Sequence, residues 1–121
     1  MKHPNVVTIY KILNYQHSLI ISMSLGIESV SDFVRRRRLE GNPLTDEECS
    51  KLAKGLLSGL AYIHDEKNLI HRDIKEQNLI LTQYQDLSQC QIIDFGIAVK
   101  NNAIGREEHG NAGTPEYQPP E

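Results

Sequence analysis

The stretch IHRDIKEQNLIL, residues 70–81, constrains the fold of this chain more than any other segment. It places Asp73, Lys75 and Asn78 close together, with aliphatic residues on both sides. A surface loop does not need apolar flanks, and a core strand could bury these charges only at a high desolvation cost. The fold must therefore hold a polar loop between two apolar segments, as expected for a functional loop on a rigid scaffold.

A second polar residue, Asp94, follows the next short apolar run, CQII at 90–93. If the apolar runs form neighbouring strands, then Asp73, Asn78 and Asp94 come together. Mg²⁺ takes carboxylate and amide oxygens and usually keeps phosphate oxygens as further ligands, so Asn78 and Asp94 are the predicted metal ligands. Asp73 is then available to receive a proton and Lys75 to neutralise a phosphoryl group, which predicts phosphoryl transfer.

The hydrophobic pattern predicts strands at 6–13 and 18–23 joined by NYQH, a helix at 30–39 with Phe33 and Val34 on its buried side, and strands at 78–81 and 90–93. The clearest helix follows Thr45, which forms a capping box with Glu48, and it runs for about 20 residues. Its Leu52, Leu56, Leu60 and Ile63 have Ala53, Leu57 and Ala61 beside them, which predicts a broad apolar face. The segment 97–121 reads as loop.

Composition excludes several classes of function. The net charge of −3 does not suggest a nucleic-acid partner. Cys49 and Cys90 lie far apart without a CxxC spacing, so neither a zinc site nor a disulfide framework is indicated. The longest aliphatic run, 19–21, is far shorter than the roughly 18 residues of a membrane span. We expect one cytoplasmic domain without a membrane partner. The arginine run 35–38 is either a nuclear-localisation or phosphate-binding patch or a solvated helix face, so a nuclear location stays open.

Four motifs resemble those of the eukaryotic Ser/Thr protein kinase family, in the same order and at similar spacing. HRDIKEQN at 71–78 resembles the catalytic loop and DFG at 94–96 resembles the magnesium motif. GTPEYQPPE at 113–121 resembles the end of the activation segment, and HPNVV at 3–7 resembles the segment before the fourth strand of the small lobe. The resemblance covers essentially the whole chain and implies an α+β protein-kinase-like fold, truncated to its middle portion.

The resemblance also implies roles for individual residues. Asp73 would orient and deprotonate the substrate hydroxyl, with Lys75 contacting the γ-phosphate of ATP and Thr114 supporting both. Asn78 and Asp94 would bind Mg²⁺, and Ile80 and Met23 would border the adenine pocket. The implied partners are ATP and a protein substrate with Ser or Thr, while the oligomeric state stays unknown. The gatekeeper residue, at the back of the adenine pocket, would be either Ile21 or Ser22.

The resemblance divides the chain into small-lobe strands at 1–23, a hinge at 24–29 and part of the large lobe at 30–121. No glycine-rich GxGxxG motif occurs in the sequence, so we expect no protein kinase activity from these residues alone. Three hypotheses remain: a piece of an active Ser/Thr protein kinase, a truncated non-catalytic binding module, and a small-molecule phosphotransferase. GTPEYQPPE argues against the third, because it resembles a platform for peptide substrates.

Overall fold

The computed structural model describes residues 2–94 and the backbone of residues 99–100. In chain order, the elements are β1 (Ile9–Tyr15), β2 (Ser18–Met23), β3 (Glu28–Ser29), α1 (Val30–Leu39), α2 (Asp46–Ala61), β4 (Leu69–Ile70), β5 (Leu79–Leu81), β6 (Gln91–Ile92) and β7 (Val99–Lys100). The predicted loop at 97–121 and Thr114 lie outside the described residues, apart from the backbone of β7. Within the described part, no helix combines the length and hydropathy that crossing a bilayer requires.

Strands β1 and β2 form an antiparallel hairpin, as predicted, although its boundaries differ at the N-terminal end. The predicted turn NYQH shrinks to Gln16 and His17, whose φ angles of 48° and 68° are those of a two-residue hairpin turn. The prediction that the first strand begins at Val6 is wrong. Val6 and Val7 are buried outside the hairpin, and Val6 forms an isolated parallel bridge with Ile92 of β6.

The three-stranded sheet has the order β3-β5-β6, with antiparallel pairing throughout. Strands β5 and β6 match the predicted strands to within one residue, whereas β3 was not predicted because two residues carry no periodic signal. Helix α1 occupies the predicted residues and buries Phe33 against this sheet, with Val34 partly buried beside it. The sheet and both helices share one core, whose innermost members include Leu81, Cys90 and Ile92.

Helix α2 begins as predicted, since Thr45 Oγ1 accepts from the Glu48 backbone N–H at 3.1 Å while Glu48 Oε1 accepts from the Thr45 N–H at 3.0 Å. It continues as one π-helical turn, Tyr62–Glu66. The predicted apolar face is confirmed along its central stripe, since Leu52 and Ile63 are buried and Leu56 and Leu60 pack against the core. Its predicted breadth is wrong, because Ala53, Leu57 and Ala61 are exposed. The fully buried positions of the helix and its π turn are Leu52, Gly55, Gly59 and Ile63. Periodicity does not predict the burial of the two glycines, which lie on the same face as Leu52.

Three of the four arginines in the run 35–38 form ion pairs with acidic side chains. Arg35 pairs with Asp32 at 2.7 Å and Arg36 with Glu28 at 2.6 Å. Arg37 holds Glu48 with two hydrogen bonds, Nη1 to Oε2 at 2.7 Å and Nη2 to Oε1 at 2.9 Å. Arg36 and Arg37 therefore connect helix α1 to Glu28 and Glu48, which neither hypothesis predicted. Arg35, Arg36 and Arg38 are exposed, as the solvated-face hypothesis predicted.

The bond to Arg37 and the Thr45 backbone N–H lower the pKa of Glu48 from 4.5 to about 2. Because the folded-state pKa lies below the unfolded value, this stabilisation is present above pH 4.5 and is lost as the pH falls towards about 2. We expect thermal melts of Glu48→Gln to lose part of the pH dependence seen in the wild type across that window. Glu47→Gln, an exposed neighbour in the same turn, should keep the wild-type pH dependence; equal profiles for all three proteins would contradict the prediction.

Candidate active site

The polar loop 71–78 connects β4 to β5 and begins with an unusual backbone conformation. Arg72 has a φ of 72°, and Asp94, which follows β6, has a φ of 61°. A left-handed conformation is uncommon for residues other than glycine and costs free energy, so such residues tend to cluster where function requires them. Both of these residues lie in the two polar clusters that the sequence singled out.

His71 joins the two clusters through its ring nitrogens. The ring is almost fully buried, and Nδ1 accepts a hydrogen bond from the Asp73 backbone N–H at 3.1 Å. Since Nδ1 is the acceptor, the neutral ring carries its proton on Nε2, which donates to the Ile93 carbonyl at 2.7 Å. His71 therefore forms a hydrogen-bonded bridge from Asp73 to the residue before Asp94.

Asp73, Asn78 and Lys75 come together as the sequence predicted. Asn78 Nδ2 donates to the Asp73 backbone carbonyl at 2.9 Å and to Asp73 Oδ2 at 3.2 Å. Lys75 Nζ lies 3.7 Å from the same Oδ2. The Asn78 amide and the Lys75 ammonium therefore hold the Asp73 carboxylate in one orientation. The Asp73 and Lys75 side chains are partly exposed, so solvent can still reach the carboxylate.

A backbone hydrogen bond of the neighbouring residue Ile93 places Asp94 beside this group of side chains. The Ile93 N–H donates to the Asn78 carbonyl at 2.9 Å, which extends the β5–β6 pairing by one step and leaves Asp94 directly beside it. The amide nitrogen of Asn78 is engaged with Asp73, so Oδ1 is the side-chain atom that can accept or coordinate. Two hard oxygen donors from neighbouring strands fit Mg²⁺.

The donor set also limits how a metal could be held. Among residues 2–94, no group of three or more His, Cys, Asp or Glu side chains is arranged to bind a metal ion. Asn78 and Asp94 would therefore need oxygen ligands other than the carboxylates of this part of the chain. Phosphate oxygens are the usual ones for Mg²⁺, whose protein sites commonly contribute only one or two carboxylates.

An open, mainly apolar pocket of about 320 Å³ lies next to this group. Met23 and Ile80, which the family resemblance placed at the adenine pocket, line it together with Val7 and Ile93, whereas Ile21 and Ser22 do not. Ile93 connects the pocket wall to Asp94, which follows it in the chain. The pocket is thus adjacent to the predicted metal ligands, as a nucleotide site with phosphates pointing towards Asp94 would require.

Gly26 shapes the pocket in a way that the sequence analysis missed. A Cβ on this residue would overlap the Cγ2 methyl of Ile80 and lie 2.9 Å from the Leu81 carbonyl. Only glycine lets segment 24–27 approach β5, where the Ile27 N–H donates to the Leu81 carbonyl at 2.7 Å. An isolated glycine in a short linking segment is a recognised signal of close backbone approach, so this position could have been identified.

Comparisons with known proteins agree on one family, the protein kinases. The model of the protein kinase domain matches residues 1–121. Calcium-dependent protein kinase 5 of Plasmodium berghei is 34% identical over 100% of this chain, and Serine/threonine-protein kinase TAO3 of Xenopus laevis is 33% identical over 100% of it. The chain covers 21% and 12% of those two proteins.

The fold agrees with the sequence comparison. A chain of the yeast RNA Pol II CTD kinase CTDK-1 complex superposes with a TM-score of 0.76 at 28% identity, over 99% of this chain and 37% of the neighbour. The α+β elements described above are therefore part of a kinase-like fold, as predicted. On the family match over all of its residues, this chain belongs to the protein kinase domain family.

Proposed function

We propose that these residues form the catalytic centre of a Ser/Thr protein kinase, which transfers the γ-phosphate of ATP to Ser or Thr hydroxyls of a protein. The observation that carries the proposal is the Asp73 carboxylate, held by Asn78 and Lys75 beside an apolar pocket. A general base must lie within hydrogen-bonding reach of the proton that it removes, in a defined orientation. The segment 24–29 would act as the hinge between strands 1–23 and the remainder.

Each residue of the centre has a separate task in this mechanism. Asp73 accepts the proton of the attacking hydroxyl through a carboxylate oxygen. Asn78 fixes that carboxylate through its amide nitrogen, and the Lys75 ammonium lies close enough to Asp73 to offset charge on a phosphoryl group that approaches the same oxygen. His71 keeps the Asp73 backbone aligned with the strand that ends at Asp94.

The nucleotide and its metal fit the remaining residues. The base of ATP would occupy the pocket lined by Met23 and Ile80, and Asn78 Oδ1 and the Asp94 carboxylate would hold Mg²⁺. When bound, Mg²⁺ supplies charge neutralisation for the phosphate oxygens. Asn78 therefore serves both parts of the site, with its nitrogen on Asp73 and its oxygen towards the metal.

Two observations support Ser/Thr rather than Tyr as the acceptor. Lys75 stands two residues after Asp73, a position where the resemblance favours Ser/Thr kinases. The relative from Xenopus laevis, 33% identical over this chain, is named a serine/threonine-protein kinase. Thr114 would support Asp73 and Lys75 in that class, and it lies outside the described residues.

The test uses the full-length gene product that contains these 121 residues, with Mg²⁺ and γ-labelled ATP and a mixture of protein substrates. We expect label in phosphoserine and phosphothreonine after acid hydrolysis. Label in phosphotyrosine alone would contradict the Ser/Thr assignment, and label only in small-molecule acceptors would contradict the protein substrate. Nucleotide binding without any transfer would favour the alternative of a non-catalytic binding module.

Asp94→Asn should weaken binding of Mg²⁺-ATP by about tenfold, because it removes the one charged ligand proposed for the metal. Calorimetric titration of the full-length gene product with ATP, in Mg²⁺ and then in EDTA, measures the metal-dependent part of the affinity. Asp65→Asn, an exposed aspartate on the π-helical turn, is the matched control and should bind as the wild type does. Loss of affinity that persists in EDTA would show that Asp94 acts on something other than the metal.

A further inference from the structure

Asn5 is a buried polar residue outside the polar loop and the apolar pocket, and the function proposed above does not use it. It packs against helix α2, and only 6% of the residue is exposed. Its Nδ2 amide donates to the Ser88 carbonyl at 2.7 Å and to the Cys90 carbonyl at 2.8 Å. One side chain thus binds two backbone carbonyls at the entry to β6, which lie 83 and 85 positions later in the chain.

The backbone around Asn5 extends this contact along β6. The Ile92 N–H donates to the Asn5 carbonyl at 2.9 Å, and the Val7 N–H donates to the Ile92 carbonyl at 3.0 Å. These two bonds form the parallel bridge between Val6 and Ile92. Strand β6 is therefore paired on both edges, with β5 on one edge and the segment 5–7 on the other.

Strand β6 is too short to fix its register through β5 alone. It contains only Gln91 and Ile92, and its pairing with β5 consists of two residue pairs. A shift of one residue turns the side chains of a strand to the opposite face of the sheet. Because Asp94 follows β6 after one further residue, the direction of its side chain depends on this register. A shift would also break the two bonds from the Asn5 amide, so Asn5 opposes it.

Helix α2 holds Asn5 in place. A Cβ on Gly59 would lie 2.7 Å from the Asn5 carbonyl oxygen, and a Cβ on Gly55 would lie 3.1 Å from Asn5 Nδ2. The two glycines thus make room for both the backbone and the amide of Asn5 against the helix. The Asn5 backbone N–H donates to His3 Nδ1 at 3.0 Å. Asn5 is therefore fixed between a long helix and a short strand, and the helix limits where the strand can lie.

Strand β6 leads directly to the proposed metal ligand. Ile93 donates through its N–H to Asn78 and accepts through its carbonyl from His71, so these two residues hold the end of the strand on one edge. We propose that Asn5, on the other edge, is a positioning residue of the metal site, which fixes the register of β6 and with it the place of the Asp94 carboxylate. This inference rests on the proposed function, in which Asp94 binds Mg²⁺.

The experiment measures the affinity of the full-length gene product for ATP by calorimetry, in Mg²⁺ and in EDTA. Asn5→Leu keeps a side chain branched at the same atom and removes both donors. The metal-dependent part of the affinity should fall about tenfold, the scale for residues that orient metal ligands, while the affinity in EDTA should equal that of the wild type. Thr82→Val is the matched control, because Thr82 Oγ1 donates to the Gln89 carbonyl of the same β5–β6 connection at 3.0 Å. It should keep the wild-type metal dependence.

A double variant separates positioning from a general loss of stability. If Asn5 acts through Asp94, then Asn5→Leu should cause no further loss of metal-dependent affinity once Asp94→Asn is present, because two changes to one interaction are not additive. Additive losses, an equal loss in Mg²⁺ and in EDTA, or unchanged metal dependence in Asn5→Leu would overturn the inference alone. A wild type whose affinity for ATP does not depend on Mg²⁺ would overturn the proposed metal site as well.

Hydrogen exchange in the wild type tests the same coupling without a substitution, and it decides the matter if Asn5→Leu does not fold. Coupling between two equilibria is reciprocal, so if the pairing of Asn5 with β6 favours Mg²⁺ binding, Mg²⁺ binding must favour the pairing. Exchange of the Ile92 amide, whose partner is the Asn5 carbonyl, should therefore slow several-fold in saturating Mg²⁺-ATP. It should not slow in saturating ATP with EDTA. Equal exchange rates under the two conditions would overturn the inference.

Discussion

Asp73→Asn is expected to lower the rate of phosphoryl transfer by about 10²–10⁴-fold, the range that a positioned general base contributes. Asparagine has nearly the same size, and the Asp73 backbone carbonyl keeps its bond from Asn78, so the loop should retain its shape. The new amide, however, cannot take a proton from a hydroxyl. Nucleotide affinity should stay close to that of the wild type, because Asp73 is assigned to the acceptor and not to the nucleotide.

Measurement requires kcat for a protein substrate and the Kd of Mg²⁺-ATP, both with the full-length gene product. Glu76→Gln removes a carboxylate from the same loop, three residues after Asp73, and serves as the control that should keep most of the activity. Transfer at the wild-type rate by Asp73→Asn would refute the assignment of the base. A parallel loss of ATP affinity would instead indicate that Asp73 supports the nucleotide.

Gly59→Ala and Gly55→Ala are each expected to lower the free energy of unfolding, although alanine is the better helix former. A Cβ at Gly59 would lie 2.7 Å from the Asn5 carbonyl oxygen, and one at Gly55 would lie 2.6 Å from the Ser88 carbonyl oxygen. Backbone atoms cannot move aside as a side chain can, and overpacking of this kind costs about 1–3 kcal/mol. The gain in helix propensity, about 1 kcal/mol, offsets only part of that cost.

Urea unfolding of the purified chain, followed by circular dichroism, gives the free energies. Ser58→Ala is the matched control, because Ser58 lies between the two glycines on the exposed side of α2 and should gain or keep stability. A rise in stability for Gly59→Ala equal to that of Ser58→Ala would show that α2 can shift away from Asn5. In that case the close approach of the helix to the segment 5–7 would not be a packing constraint.

Local signals explain why the helix boundaries were predictable. The capping box of Thr45 and Glu48 operates within one turn, and helix α1 starts where Ser29 Oγ accepts from the Asp32 N–H at 3.1 Å. The loop chemistry was predictable for the same reason, since Asp73, Lys75 and Asn78 lie within six positions of one another. Their close contacts follow from a short turn of chain and require little help from distant residues.

The sequence by itself therefore determined the helix starts, the hairpin, the loop that carries Asp73, and membership in the kinase family. Only the tertiary structure decided how wide the buried face of α2 is, because Asn5 and Ser88 approach the helix at Gly59 and Gly55, while the flanking leucine and alanines stay exposed. It also decided the partners of the arginine run. Tyr84 lies 56 residues after Glu28 in sequence, and its contact with Glu28 exists only once β3 and the β5–β6 connection have packed together. Hydrogen bonds between such distant residues depend on the geometry of the assembled core, which no local pattern encodes.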